Sequence, residues 1–93
     1  MKRKLLDILA CPIDKYHPLE LHVFEETDEI VEGLMLCPKC LRWFPIRDEI
    51  PEMLPDELRE KKEDVSFMRK WENKIPNRIL AEGKPFNLRK ERV

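Results

Sequence analysis

Glycine and long apolar runs are what this 93-residue chain has least of. Only Gly33 and Gly83 are present, so no glycine-rich loop is available to hold a phosphate or a nucleotide cofactor. No stretch reaches the roughly 18 consecutive apolar residues that a transmembrane helix needs. The basic start MKRKLLDILA resembles a signal peptide, but Asp7 and Cys11 end its apolar part too early. These absences lead us to expect a cytoplasmic protein without a membrane segment.

A surplus of charge of one sign is also missing. The chain has 18 Lys and Arg residues against 19 Asp and Glu residues, which gives a formal net charge of −1. Proteins that bind nucleic acid through charge need a clear basic excess, because the release of counterions drives their binding. The overall balance therefore argues against a general nucleic-acid-binding surface. A single small domain is expected, and in such a domain a metal, a partner or a wrapped tail matters for stability.

The three cysteines are too few for an even set of disulfides, and their spacing is typical of metal sites. Cys37 and Cys40 form a CxxC turn, and Cys11 opens a similar turn that has Asp14 in the fourth place. Two complete CxxC turns would make a zinc ribbon in a reducing compartment. Here the fourth ligand would be Asp14, His17 or water, or the fourth place would be empty. The alternative is a metal-free turn with three reduced thiols.

Thiol chemistry is a weaker interpretation of the same cysteines. A redox CxxC needs a helix N-terminus to lower its thiol pKa, whereas strands are predicted on both sides of Cys37 and Cys40. A nucleophilic Cys11 paired with His17 or His22 would lack a group that orients the base. The chain is therefore not expected to be an enzyme.

Hydrophobic periodicity predicts an α+β fold, a small zinc-ribbon-like antiparallel sheet with an N-terminal helix and a C-terminal helical extension. The helix is predicted over Lys4–Leu9. The strands are predicted over Leu19–Phe24, Ile30–Leu36, Leu41–Phe44 and Ile50–Leu54. Residues 1–54 would form the ribbon domain, residues 55–83 a helical extension packed on it, and residues 84–93 a basic, flexible tail. In the extension, Val65, Met68, Trp71 and Ile75 share one helix face and Pro76 ends that helix.

The segment after the CxxC turn combines apolar residues with prolines. Pro45 and Pro51 lack the N–H that an internal strand donates, which confines the segment to a sheet edge or to strand ends. An apolar edge promotes aggregation unless something covers it. Trp43 and Phe44 are adjacent and face opposite sides of a strand, so we expect one in the core and the other exposed or facing a partner.

The motifs LLDILACPIDK and LMLCPKCLRWFPIRDEIPEMLP, separated by two predicted strands, resemble a known family. This is the family of small zinc-ribbon-like activators of class I methyltransferases that act on tRNA, rRNA and translation release factors. The match covers most of residues 1–63. The CPID variant and the helical extension look most like archaeal members. Many members have cysteine at the position of Asp14, which leaves the metal open here.

The resemblance implies a non-catalytic subunit that forms a heterodimer with a methyltransferase, which itself binds S-adenosylmethionine. It implies a possible zinc site at Cys11, Asp14, Cys37 and Cys40. It also implies partner binding through an apolar edge strand, a form of strand addition. The matching partner-binding residues are Phe44, Pro45, Ile46, Arg47, Ile50, Pro51, Met53 and Leu54. Two rival functions are a zinc-ribbon RNA-binding module, in which RNA binding is direct, and a thiol enzyme.

Overall fold

A four-stranded antiparallel sheet lies at the centre of the computed structural model, which describes residues 1–91 and side chains as far as Arg89. Each strand pairs with the next one along the chain, in the order β1-β2-β3-β4. The strands are β1 (Glu20–Glu26), β2 (Ile30–Leu36), β3 (Trp43–Arg47) and β4 (Ile50–Pro51). The predicted α+β class and the antiparallel meander are confirmed.

Helices precede and follow this sheet. A 3₁₀ helix, Arg3–Asp7, opens the chain, and a second one, Asp56–Leu58, follows the sheet. The extension contains α1 (Lys61–Lys70), α2 (Asn77–Glu82) and α3 (Leu88–Glu91). None of the helices within residues 1–91 is both long enough and apolar enough to cross a membrane.

The sheet is covered on both faces because its apolar residues alternate between them. One face joins the extension in what we call the helix-side cluster: Phe24, Leu34, Leu36, Trp43, Phe67, Met68, Ile75, Ile79 and Leu88. The other face forms the knuckle-side cluster: Met1, Cys11, Leu19, Ile30, Met35, Cys37, Phe44 and Ile46. Leu5, Leu6 and Leu9 of the N-terminal segment pack against this second cluster. The result is a three-layer arrangement in which the central strands are buried on both sides.

A buried ion pair holds the extension against β3. The side chains of Arg59 and Asp64 are 2% and 5% exposed, with Nη2 and Oδ2 2.7 Å apart. Arg59 also donates from Nη1 to the Trp43 carbonyl at 2.7 Å. The Trp43 ring stacks on Phe67 at 5.9 Å between centroids. The extension is therefore part of the main core rather than an appended segment.

A tight hairpin turn and one close backbone approach fix the sheet geometry. β3 and β4 are joined by Asp48 and Glu49, which have φ values of 52° and 71°, as a type I′ hairpin turn requires. In β2, a Cβ at Gly33 would lie 2.7 Å from the His22 carbonyl oxygen of β1. Glycine is needed there because β1 passes so closely, beside the irregular register between Val23 and Glu25.

Several predicted details differ from the structure. The N-terminal helix is a short 3₁₀ helix rather than an α-helix over Lys4–Leu9, and the fourth strand has two residues rather than five. Trp43 and Phe44 do face opposite sides, but both are fully buried because both faces are covered. Part of the predicted flexible tail over residues 84–93 is packed, since Asn87 and Leu88 are buried. The end of that tail, residues 92–93, lies outside the described residues.

Candidate functional site

Two similar turns bring the cysteines together. In the first turn, the Lys15 N–H donates to the Cys11 carbonyl at 2.9 Å. In the second, the Leu41 N–H donates to the Cys37 carbonyl at 2.8 Å. Lys15 and Leu41 both have a φ of 65°, so the chain reverses in the same way after each turn. Asp14 thus occupies in the first turn the place that Cys40 occupies in the second.

The four side chains have the spacing of a tetrahedral metal site. The ligand atoms of Cys11, Asp14, Cys37 and Cys40 all lie within 4.8 Å of one another. The Cys11 and Cys40 sulfurs are 3.8 Å apart, and the Cys37 sulfur is 3.6 Å from Asp14 Oδ1 and 3.4 Å from Oδ2. A tetrahedral zinc ion with Zn–S near 2.3 Å and Zn–O near 2.1 Å separates its ligands by about 3.8 Å for S–S and about 3.6 Å for S–O. The four residues can therefore hold a metal ion.

His17, the other candidate for the fourth ligand, points elsewhere. Its Nδ1 lies 2.8 Å from the Leu9 carbonyl oxygen, where it fixes the segment that precedes the first turn. Asp14 is the residue that completes the cluster.

Protonation of the cluster depends on its burial. Loss of hydration raises the pKa of Cys11, and raises the pKa of Cys37 to about 12. The Tyr16 N–H, 2.9 Å from Asp14 Oδ1, contributes most to lowering the pKa of that carboxyl to about 2. At neutral pH without a cation, Cys11 and Cys37 are thus thiols and Asp14 is a carboxylate. Metal binding would release protons from the thiols.

The predicted partner-binding residues divide into buried and accessible groups. Phe44, Pro45 and Ile46 are buried within this chain, so the prediction that they present an apolar surface is wrong. The cause is that the N-terminal segment and the extension cover both sides of β3. Ile50 and Leu54 are exposed, at 64% and 37%. The remaining three, Arg47, Pro51 and Met53, are half-buried.

The outer edge of β3 is covered by the chain itself. Residues of β4 pair with Ile46 and Arg47, and the Glu52 N–H donates to the Pro45 carbonyl at 2.9 Å. At the other end of β3, the Trp43 N–H donates to the Lys84 carbonyl at 3.1 Å. Because N–H and C=O of one strand residue point the same way, the missing donor of Pro45 faces this outer side and not β2. The free edge of the sheet on this side is therefore the short strand β4.

A shallow groove of about 630 Å³ lies between the N-terminal 3₁₀ helix and β4. Its apolar lining includes Leu5, Ile8 and Pro51, with Glu29 and Glu49 beside them. Ile8 is 77% exposed, the highest value among the large apolar residues that the structure describes as exposed. Ile50 lies on the opposite face of β4, because it pairs with Arg47 whereas Pro51 pairs with Ile46. Apolar surface therefore flanks both sides of the β4 edge.

Ile8 is the accessible residue that the sequence patterns did not single out. It stands in the apolar run Leu5, Leu6, Ile8 and Leu9, within the helix predicted over Lys4–Leu9. The three leucines pack against the knuckle-side cluster. The 3₁₀ helix ends at Asp7 and Ile8 is its C-cap residue, so Ile8 lies beyond the last helical turn.

The sequence of residues 2–49 matches the Trm112p-like protein family. The match spans more than half of the chain and includes both cysteine turns. The chain belongs to the Trm112p-like family.

Relatives of this Trm112p-like chain include short bacterial proteins. A UPF0434 protein of Pseudomonas putida is 47% identical over 64 residues, which are 69% of this chain and 92% of the relative. A UPF0434 protein of Dechloromonas aromatica is 45% identical over 60 residues, which are 64% of this chain and 90% of the relative. About a third of the chain thus has no counterpart in these proteins.

A solved structure shows the same fold. It is a complex between the Haloferax volcanii Trm112 methyltransferase activator and a candidate methyltransferase. The matched chain has 43% sequence identity and a TM-score of 0.58, and the match covers 62% of this Trm112p-like chain and 100% of the other. The recognition of a methyltransferase-activator family from the two cysteine motifs is confirmed.

Proposed function

We propose that this chain is a non-catalytic activator and stabilising subunit of one or more class I methyltransferases that depend on S-adenosylmethionine. The observation that carries the proposal is the structural match to a Trm112 activator in complex with a candidate methyltransferase. The substrates proposed for the partner are tRNA, rRNA or a release factor. The complex would act in the cytoplasm, where its three free cysteines stay reduced.

Activation would follow from selective binding to the folded methyltransferase. A subunit that binds only the native state stabilises it by mass action, in proportion to the logarithm of its concentration over its dissociation constant. S-adenosylmethionine would bind to the catalytic subunit, because this chain has only two glycines and no loop of the kind that holds such a cofactor. The chain's contribution would be contact surface rather than chemistry.

The contact surface we propose is the β4 edge with the apolar residues on its two sides. Ile8 and Pro51 flank one side of this edge and Ile50 flanks the other. Leu54 extends the exposed apolar surface along the chain. A strand of the partner added to β4 would cover these residues and would pair the outer backbone groups of the edge. Phe44 and Ile46 would support this edge from within the core.

A structural role is proposed for zinc at Cys11, Asp14, Cys37 and Cys40. Four protein ligands fill a tetrahedral zinc site, which leaves no open position for a substrate or a reactive water. Zinc there would join the two cysteine turns and hold the base of β1 and β3 in place.

Capture of the partner tests the proposal. The tagged chain, incubated with extract of the source organism, is expected to recover a class I methyltransferase near one-to-one. Ile8→Asp and Ile50→Asp should each reduce this recovery at least roughly tenfold, because each would place an unpaired carboxylate in an apolar contact. Leu58→Asp is the matched control, since Leu58 is also exposed, at 61%, but lies in the second 3₁₀ helix.

A second measurement tests the non-catalytic assignment. Purified chain is assayed for methyl transfer from S-adenosylmethionine with and without the captured enzyme. Transfer by the chain alone would refute the assignment. Recovery of RNA without any methyltransferase would favour the zinc-ribbon RNA-binding module instead.

A further inference from the structure

Although the net charge is near zero, acidic and basic residues are unevenly distributed along the chain. Residues 1–60 contain eight Lys and Arg against fourteen Asp and Glu, whereas residues 61–93 contain ten against five. The acidic part is the ribbon body and the basic part begins at α1. A division of this kind between two parts of one chain suggests that the basic part meets an anionic ligand.

Neutralisation by the acidic body accounts for only some of these basic residues. Lys70 lies 3.8 Å from Glu32 of β2, and Arg78 lies 3.5 Å from Glu20 of β1. Lys62 and Arg69 are exposed, and among the residues whose side chains are described neither one has a carboxylate at ion-pair distance. They point outward from α1.

These residues share one face of the helix. A shallow concave surface on α1 is lined by Lys61, Lys62, Val65, Ser66 and Arg69, and the acidic groove on the other side of Lys62 and Ser66 is separate from it. Lys62 and Arg69 stand seven positions apart, which is about 10 Å along a helix axis. Two cations at that separation can each contact a different phosphate, and the Ser66 hydroxyl between them is a further donor.

The same face lacks what a protein partner requires. Protein–protein interfaces have an apolar or aromatic centre with charges at the rim. Here the only apolar residue among the five that line the surface is Val65, which is half-buried against the helix-side cluster. The surface therefore suits a polyanion better than a folded protein.

The position of α1 places this surface on the opposite side of the sheet from the edge groove, although Ile50 at the β4 edge lies on the α1 side. α1 covers the sheet face that carries Trp43 and Leu34, whereas Leu5 and the edge groove lie on the opposite face. The molecule measures 22 Å across its thinnest dimension. A methyltransferase bound along the groove would leave the outer face of α1 open.

We infer that the outer face of α1, with Lys62, Ser66 and Arg69, binds the phosphate backbone of RNA presented to the associated methyltransferase. The naming of RNA rests on the proposed function. The contact would be independent of sequence, would add affinity for the substrate and would weaken with salt. It also differs from the RNA-binding ribbon considered above, because α1 lies outside the ribbon.

Binding of a fluorescein-labelled RNA hairpin, measured by anisotropy over a series of salt concentrations, tests the inference with the full chain. Removing two phosphate contacts by Lys62→Gln and Arg69→Gln together should reduce the slope of log Kd against log salt by about 1.5. The matched control is Lys4→Gln with Lys15→Gln, which removes two exposed charges from the acidic body. This control should leave both affinity and slope unchanged.

Three results would overturn the inference. They are equal loss of binding in both double variants, absence of RNA binding by the wild-type chain, and equal affinity for poly-glutamate and RNA.

Methyltransferase capture, run in parallel, separates the RNA-binding inference from the proposed activator function. The α1 variant should capture the enzyme normally, whereas Ile50→Asp should lose the enzyme and keep the RNA. Equal melting temperatures of the variants, measured by circular dichroism, would show that their fold is intact.

Discussion

At the scale of single residues, the backbone adopts left-handed conformations at positions where not every residue type is favourable. Within residues 1–91, four residues other than glycine have positive φ: Lys15, Leu41, Asp48 and Glu49. Asp48 is well suited to its turn position, since Asp tolerates the left-handed region. Glu49 is not, because a left-handed conformation brings its Cβ close to a carbonyl oxygen and costs roughly 1–2 kcal/mol.

Substitution of Glu49 by glycine is therefore expected to stabilise the protein. Removal of the backbone strain stabilises the folded state, whereas the greater freedom of glycine stabilises the unfolded chain by about 0.4–1 kcal/mol. The strain is the larger effect, so the free energy of unfolding should rise by roughly 0.5–1 kcal/mol. A domain of this size should then melt about 2–8 °C higher. Glu25→Gly is the control, because Glu25 lies in β1 with ordinary φ, and it should lower the melting temperature. A fall for Glu49→Gly would contradict the strain argument.

The fourth position of the metal cluster is also decided by single residues. The pattern CPID suggested Asp14 but left His17 and water open. The equivalent backbone of the two cysteine turns, which no spacing rule encodes, brings Asp14 opposite Cys37 and turns His17 toward Leu9.

At the scale of elements, Arg59 connects α1 to the sheet, because it pairs with Asp64 of α1 and donates to the Trp43 carbonyl of β3. Its burial lowers the pKa of Arg59 and raises that of Asp64, so loss of hydration opposes both charges. A buried pair of this kind is sensitive to the loss of one partner but tolerates the replacement of both.

Removal of Asp64 alone should be far more harmful than the double substitution. Asp64→Leu should reduce the free energy of unfolding by about 3–5 kcal/mol, because the Arg59 charge then stays buried without a carboxylate. Arg59→Met should cost less, because Arg47 still lies 3.4 Å from Asp64. The double variant should be more stable than either single one, although the Trp43 carbonyl loses the donor that Arg59 provides. Urea unfolding of all four proteins measures the coupling. Additive effects of the two substitutions would show that the pair does not act as a unit.

The edge strand is a second feature at this scale. Its prolines indicated a position at the sheet margin, and Pro51 does end β4. Pro45 lies instead within β3, where its missing donor faces the outer side. Its neighbours there, Lys84 and Glu52, come from outside β3 and supply the pairing of that side.

At the scale of the whole molecule, the two sides of the sheet differ in their dependence on the metal cluster. The knuckle-side cluster includes Cys11 and Cys37, whereas the helix-side cluster contains no cysteine. Loss of the zinc that we propose for this cluster should therefore loosen one layer and leave the other packed.

Removal of zinc by a chelator is expected to lower the melting temperature without unfolding the protein at 25 °C. Tryptophan fluorescence should stay native, since Trp43 belongs to the helix-side cluster and Trp71 packs against it. Asp14→Cys should bind zinc at least roughly tenfold more tightly, because a fourth thiolate binds zinc better than a carboxylate. Its melting temperature should then fall further on chelation. Complete unfolding on chelation, or no effect of zinc on either protein, would contradict the claim that only the knuckle-side cluster depends on zinc.

The cysteine pattern, the alternating strands and the proline positions determined the α+β class, the meander and the three cysteines of the cluster. These features are local: spacing along the chain fixes which side chains share a turn or a strand face. The choice between an exposed and a buried Phe44, the covering of β3 by Lys84 and the exposure of Ile8 were decided only by the tertiary structure. They depend on which segments, distant in sequence, pack on each face of the sheet. The local pattern of apolar residues does not specify which distant segment packs there.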